Sequence, residues 1–152
     1  MLIHFICTGN IYRSRLAEAY CASKQVPGLR VSSSGIMAAM NSDLPIAPYT
    51  ARLLDQYGLK RFAAPEWRQT TPAMVQSSDV LVFMEAEHHR FCKRWIDSKR
   101  QKHTIWSIPD IGRQVGAGQL MTEVDRTFQF IRQRTDTLLT ELNLLSRRNS
   151  AS

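Results

Sequence analysis

Leu2-Ile3-His4-Phe5-Ile6-Cys7-Thr8-Gly9-Asn10-Ile11-Tyr12-Arg13-Ser14 is the stretch on which the fold turns. Residues 2–6 are apolar except His4, a short run that reads as a buried strand. His4 itself reads as a hydrogen-bonded core or edge residue. Cys7-Thr8-Gly9-Asn10 then has the composition of a loop. From residue 14 to about residue 24, Leu16, Ala17, Tyr20 and Cys21 recur at helical spacing, and Pro27-Gly28 end the helix. The order is strand, loop, helix.

That order supplies three physical ingredients in one place. Successive backbone N–H groups in a curled loop, here Thr8, Gly9, Asn10, Ile11 and Tyr12, form an anion-binding nest. The start of the helix adds unpaired donors and the positive end of its dipole. Arg13 adds a planar, permanently charged fork that can hold two oxygens of a phosphate. Gly9 and Asn10 are residue types that tolerate left-handed backbone angles, as a tight cradle demands. Cys7 lies at the base, where such a field favours thiolate over thiol. A thiolate beneath a bound phosphate is an in-line nucleophile for phosphoryl transfer, with a phosphocysteine as intermediate. Ser14 is placed to hydrogen-bond that sulfur. No other cysteine repeats the pattern: six positions on, Cys21 leads to Pro27 and Cys92 to Ser98.

Further along, residues 29–33 read as a second strand and residues 35–45 as a loop. A helix is expected over about 46–57, packing Ala47, Thr50, Ala51, Leu54 and Tyr57, with Gly58 as its C-terminal cap. Thr71-Pro72 reads as an N-cap followed by proline in the first helical position. Residues 79–84 form a near-continuous apolar strand, a basic helix follows to about residue 96, and residues 103–107 make a fourth strand. Residues 108–119 read as a loop. Thr122-Glu123-Val124-Asp125 resembles a capping box and is expected to open the last helix. The apolar face of that helix is Val124, Phe128, Ile131, Thr135, Leu138, Leu142 and Leu145. Strands alternating with helices predict an α/β fold: a single three-layer domain with a four-stranded parallel sheet, helices on both faces and the phosphate-binding loop after the first strand. Residues 1–146 are read as that domain and 147–152 as a polar tail. In such sheets the ligand sits beyond the carboxyl ends of the strands, where the loop lies.

The 152 residues, 43% hydrophobic and 22% charged, suffice for one core without disulfides or structural metal. Neither a membrane span nor a basic leader is apparent. Three cysteines are a poor disulfide framework, which predicts a reducing, cytoplasmic setting. The charge of +7 favours anionic partners. Much of it clusters at His88, His89, Arg90, Lys93, Arg94, Lys99, Arg100, Lys102 and His103, read here as a solvated helix and loop. No nucleic-acid-binding motif is visible. His88-His89 and His103 lack ligand spacing with Cys92, so no metal or other cofactor is expected.

Residues 6–14 resemble the signature of the low-molecular-weight protein tyrosine phosphatases. Ser33-Ser34-Gly35 is similar to that family's Ser-Ala-Gly segment, residues 78–85 to its third strand, and Ile108-Pro109-Asp110 to the start of its acid loop. The resemblance implies metal-independent hydrolysis of a phosphorylated protein or small phosphomonoester, releasing inorganic phosphate. It implies Cys7 as nucleophile, Arg13 as phosphate clamp and Ser14 as partner of the thiolate. It also implies that Asn10 fixes the loop with Ser33 bonded to it, and that Asp110 is the general acid. Read from the residues alone, Asp110 is an acid in a Pro/Gly-containing loop. Asp125 and Glu123 are poorer acids because capping accounts for them.

The chain departs from the family pattern at four places. Tyr12 stands where a second cysteine is common, and Arg15 stands where proline is usual, adding a charge beside the pocket. Asp110-Ile111-Gly112-Arg113 lacks the usual aromatics, and so does Ile36-Met37-Ala38-Ala39-Met40. Met37, Met40 and Arg113 are the expected replacements at the mouth, and without aromatic walls selectivity for phosphotyrosine is expected to weaken. Two other readings compete. Arsenate reduction on the same fold would need further cysteines near the helix after the third strand, where only Cys92 lies. A non-catalytic phosphate or phosphoprotein binder would keep the cradle without needing Cys7, Arg13 and Asp110 together.

Overall fold

The computed structural model describes residues 1–41, 44–112 and 115–145. Strands β1 (Leu2–Cys7), β2 (Arg30–Gly35), β3 (Val80–Phe83) and β4 (Lys102–Ile105) form one parallel sheet in the order β2-β1-β3-β4. The helices are α1 (Arg13–Ser23), α2 (Pro48–Gln56), α3 (Pro72–Ser77), α4 (Ala86–Cys92) and α5 (Ala117–Glu141). This is the expected α/β architecture.

Alternation along the strands builds a core on each face. Ile3 and Phe5 of β1 and Val80 and Val82 of β3 face one core, where Leu16, Val124, Phe128 and Ile131 of α1 and α5 close over them. Ile6, Leu81 and Phe83 face the other core, with Val75 of α3 and Cys92 of α4. His4 is buried there and bonds the hydroxyls of Ser32 and Ser34 at 2.6 and 2.7 Å, so its polarity is satisfied across the β1–β2 pair. Thr71 caps α3 by accepting from the Met74 N–H at 3.3 Å, and Pro72 follows it.

Several local expectations are corrected. The last helix begins at Ala117, five residues before Thr122, with Gly116 as its N-cap. Thr122 is inside the helix and its hydroxyl donates back to the Gly118 carbonyl at 3.5 Å, so the apparent capping box opens nothing. A capping box does exist at Glu85 and His88, where histidine takes the place of the usual Glu or Gln and starts α4. In α2, Pro48 fixes the first turn, and Leu53 is buried in place of Ala51. Tyr57 lies beyond the last turn, half-exposed, its ring edge-on to Phe128 with the ring centroids 4.9 Å apart. Gly58, at φ +66°, supplies the left-handed turn expected of it. Leu145 is past the end of α5, and Leu139 is buried instead. Residues 42–43, 113–114 and 146–152, which include Arg113 and the polar tail, lie outside the described residues.

Candidate active site

Cys7 is the last residue of β1 and Arg13 the first of α1, so five residues must turn the chain between them. Their carbonyls are bound from outside the loop. Cys7 O accepts from Ile36 N at 3.0 Å, Thr8 O from Met37 N at 2.8 Å, Ile11 O from Ala47 N at 3.0 Å and Tyr12 O from Leu16 N at 3.0 Å. Gly9 O accepts from Asn41 Nδ2 at 2.7 Å and Asn10 O from Arg15 Nη1 at 3.2 Å. The N–H of Asn10 donates to Cys7 Sγ at 3.2 Å. The N–H groups of Gly9, Ile11, Tyr12 and Arg13 donate to no protein group among the described residues. With carbonyls turned out and amides left over, the loop is a nest for an anion. Residues 7–13 together with Asn41, Tyr49 and Asp110 line a pocket of about 220 Å³.

Gly35 permits this curl. A Cβ there would lie 2.5 Å from Thr8 O, 2.7 Å from Asn10 N and 2.9 Å from Gly9 C. The loop therefore rests on the bare backbone at the end of β2, and Asn10 takes φ 55° to complete the turn.

A chain of polar groups orients the sulfur. Glu18 is buried; one oxygen accepts from the Ser33 hydroxyl and the other from Ala64 N at 3.0 Å. Because Ser33 gives its proton to Glu18, its oxygen is free to accept from Asn10 Nδ2 at 2.9 Å. The second Asn10 Nδ2 hydrogen goes to Ser14 Oγ at 2.8 Å, and Asn10 Oδ1 accepts from Arg68 N at 2.9 Å. Ser14 accepts from Asn10 and so donates its own proton to Cys7 Sγ at 2.8 Å. Every polar atom of the Asn10 side chain is paired, and the relay from Glu18 to Cys7 has one consistent direction.

Arg13 is buried at the side of the pocket. Its Nη1 donates to Ile108 O at 2.7 Å and to Glu85, and its Nη2 lies 3.4 Å from Thr8 Oγ1 and 3.7 Å from Asp110 Oδ2. With Nη1 committed to protein, the Nε and Nη2 edge remains as the fork for an oxyanion. His88 is fully buried and fixes Thr8. The Glu85 N–H donates to His88 Nδ1 at 3.0 Å, so Nε2 carries the proton and donates to Thr8 Oγ1 at 2.9 Å. Burial and the nearby Arg13 charge lower the His88 pKa to about 3, which keeps the ring in this neutral form. The Thr8 hydroxyl proton is then free to point at a bound anion. Glu85, Glu87 and His88 bring ligand-type atoms within 4.8 Å of one another. The lone pair on His88 is used by the Glu85 amide and Glu85 is held by Arg13, so this cluster serves the loop and does not suit a metal.

The structure brings Cys7, Thr8, Gly9, Asn10, Ile11, Tyr12, Arg13, Ser14, Ser33 and Asp110 together as the sequence pattern implied. Asp110 is exposed at the mouth, its N-terminal neighbours held by Arg13 through the Ile108 carbonyl. Arg15 corrects an expectation. It is buried away from the pocket, donating to the carbonyls of Asn10, Pro45 (3.0 Å) and Ala64, and so acts as a brace for the loop. Met37 and Met40 are exposed and line no part of the pocket. The aromatic wall comes instead from Tyr49 of α2, whose ring meets Tyr12 edge-on at 5.1 Å. Tyr12 is buried, its hydroxyl without a hydrogen bond in good geometry, and burial pushes the phenol up to about 12. Sequence reasoning missed Glu18, Asn41, Tyr49, Glu85 and His88. Only Glu85 and His88 left a local trace, an acid and a histidine three residues apart at the start of a helix.

A family model and solved structures match nearly the whole chain. The family model described as low molecular weight phosphotyrosine protein phosphatase matches residues 2–143. A protein-arginine-phosphatase of Geobacillus stearothermophilus is 46% identical over 44 residues, which are 29% of this chain and 30% of that protein. The match thus spans under a third of that relative's length. The tyrosine phosphatase Wzb of Escherichia coli K30, solved with sulphate, superposes with a TM-score of 0.72 at 23% identity, covering 93% of this chain and 97% of its own. A low molecular weight phosphotyrosine phosphatase of Vibrio cholerae O395 superposes with a TM-score of 0.77 at 17% identity, covering 94% and 97%. At these identities the two structures speak for the fold.

Proposed function

The chain belongs to the low molecular weight phosphotyrosine protein phosphatase family, and from that premise we propose that it hydrolyses phosphomonoesters, phosphotyrosine on proteins foremost, through a phosphocysteine on Cys7. The observation that carries this reading is a loop whose carbonyls all bond outward, which leaves four of its amides without a protein partner among the described residues at a pocket that also holds a sulfur accepting from Ser14 and Asn10.

In this mechanism the phosphate enters with its oxygens on the loop amides, on Thr8 and on the Nε and Nη2 edge of Arg13. Cys7 Sγ attacks phosphorus in line with the ester oxygen. A P–S bond forms, the P–O bond breaks, and Asp110 delivers a proton to the departing oxygen. Asp110, now a carboxylate, takes a proton from water as that water attacks phosphorus. Inorganic phosphate leaves and the thiolate is restored, with Ser14 donating to the sulfur it displaces. Negative charge builds on oxygens surrounded by fixed donors, which is where such a site gains most of its rate.

Tyr49 and Tyr12 support an aromatic substrate, because a phosphotyrosine ring can pack against Tyr49 as Tyr12 does from within. Three free cysteines support a reducing, cytoplasmic location, since the proposed nucleophile Cys7 must stay unoxidised to attack phosphorus. No described helix is long and apolar enough to cross a membrane. Arsenate reduction finds less support: burial pushes the Cys21 and Cys92 thiols up to about 12, which makes both poor nucleophiles.

The test is a panel of p-nitrophenyl phosphate and phosphotyrosine, phosphoserine and phosphoarginine peptides, with wild-type protein beside Cys7→Ser. Phosphotyrosine should be the best peptide substrate, and Cys7→Ser should be inactive while folding normally. Turnover that survives Cys7→Ser would overturn the mechanism. Faster phosphoarginine turnover would move the substrate class to the one named for the Geobacillus protein.

A further inference from the structure

A second cavity, of about 270 Å³, lies between the segment of residues 106–109 and a face of α5. Its α5 wall carries Arg126, Phe130 and Arg134, spaced by four residues and therefore in one row along the helix. Trp106 forms the opposite wall, and its indole N–H makes no hydrogen bond among the described residues. Phe130 is half-exposed, an unusual place for a large apolar ring on a helix with this much charge.

The two arginines stand out against their neighbours. Exposed Arg52 pairs with Asp125 and Arg100 with Asp79, whereas Arg126 and Arg134 make no ion pair or hydrogen bond among the described residues. An apolar slot flanked by two uncompensated guanidinium groups calls for an apolar or aromatic side chain with carboxylates on either side. At a 1.5 Å rise per residue the arginines are about 12 Å apart along the axis, the length of about four extended residues.

The position of this slot identifies the occupant. It shares the segment of residues 108–110 with the catalytic pocket: Ile108 and Pro109 line the slot, the Ile108 carbonyl holds Arg13, and Asp110 lines the pocket. Thr127, on the slot side, also neighbours the Tyr12 hydroxyl on the pocket side. A polypeptide whose phosphate lies on Arg13 and whose chain leaves the pocket past Asp110 runs along this rim to the slot. We propose that the slot is a substrate subsite, which binds an acidic segment with an apolar residue, within about five residues of the phosphorylated side chain in the protein substrate. This inference rests on the proposed phosphatase function.

The experiment compares wild type with the double variant Arg126→Glu, Arg134→Glu on three substrates. These are p-nitrophenyl phosphate, a phosphotyrosine peptide flanked by Asp, Glu and Phe, and the same peptide with Asn and Gln for the acids. Wild type should favour the acidic peptide roughly tenfold at low salt through KM, the preference shrinking as salt is added. The double variant should lose that preference and keep its p-nitrophenyl phosphate activity. An equal fall on all substrates, or an acidic preference that survives, overturns the subsite. Wild type inactive on every substrate would instead refute the phosphatase reading. The slot is then decided by titrating the unphosphorylated acidic peptide and following indole fluorescence, with Trp106→Phe as the blank. Saturable quenching in wild type that disappears in both variants supports the slot, and its absence in wild type overturns it.

Discussion

Gly35→Ala should disable the site without touching any group that meets the substrate. The added Cβ would lie 2.5 Å from Thr8 O and 2.7 Å from Asn10 N, both backbone atoms with no side-chain rotation to relieve the overlap. Even the tightest contacts real Cβ atoms make, 3.0 Å, require the loop to recede by 0.5 Å, and an ordinary 3.4 Å contact requires 0.9 Å. The strand cannot retreat instead, because Gly35 is tied on its far side by Gly35 N to Arg68 O and Thr70 N to Gly35 O, both at 2.9 Å. The loop must therefore move, and the Asn10 amide that donates to Cys7 moves with it. Oxyanion donors work within a few tenths of an ångström, and a misplacement of about 1 Å costs on the order of 10²-fold. The expected result is a kcat/KM on p-nitrophenyl phosphate lowered about 10- to 100-fold. The stability loss from overpacking should be about 1–3 kcal/mol. Steady-state kinetics beside a urea titration separates the two. Activity within twofold of wild type at an unchanged midpoint would refute the idea that the loop depends on the bare backbone of residue 35.

Three further outcomes follow from the same geometry. Asp110→Asn should slow hydrolysis of phosphotyrosine peptides by about 10²-fold or more, yet slow p-nitrophenyl phosphate far less, because nitrophenolate departs without a proton; equal losses on both would remove Asp110 from the role of acid. Burial, aided by Arg68 and Arg13 respectively, lowers the pKa of His4 to about 4 and of His88 to about 3, against 6.5 in an unfolded chain. Below pH 6.5 the unfolded chain binds protons that the native one refuses, so stability is complete above that pH and declines on acidification. The loss should reach about 2 kcal/mol per histidine at pH 5, and a urea midpoint that does not change between pH 7 and 5 would contradict it. Iodoacetamide at neutral pH should label native protein once, at Cys7, with phosphate protecting, since Cys21 and Cys92 are buried with their thiols pushed up to about 12. Two or more labels on folded protein would contradict that assignment.

Short-range patterns in the chain mark most of the elements that the fold contains. The β1–loop–α1 unit, the proline-led start of α3 and the parallel strands each leave a periodic or compositional mark within a few residues. The candidate loop is legible for the same reason, since one stretch of thirteen residues carries the proposed nucleophile, cradle and clamp. The errors fall where a local signal competes with packing. Thr122 looks like a cap, but the helix runs on back to Ala117, and in that added turn Leu120 packs partly buried against the core. Arg15 shows a charge in the sequence and no direction, and only the surrounding carbonyls reveal it as a brace.

The sequence alone determined the layered sheet and singled out Cys7 as the proposed nucleophile, because strand and helix periods and the residues of an anion cradle are written next to one another. Only the tertiary structure decided what surrounds that sulfur. Glu18 reaches it through Ser33 and Asn10, His88 sets Thr8 from 80 residues away, and Tyr49 walls the pocket from α2. Hydrogen bonds and ring contacts act over about 3–5 Å in space, whatever the separation along the chain, and only the packed fold brings those groups within reach.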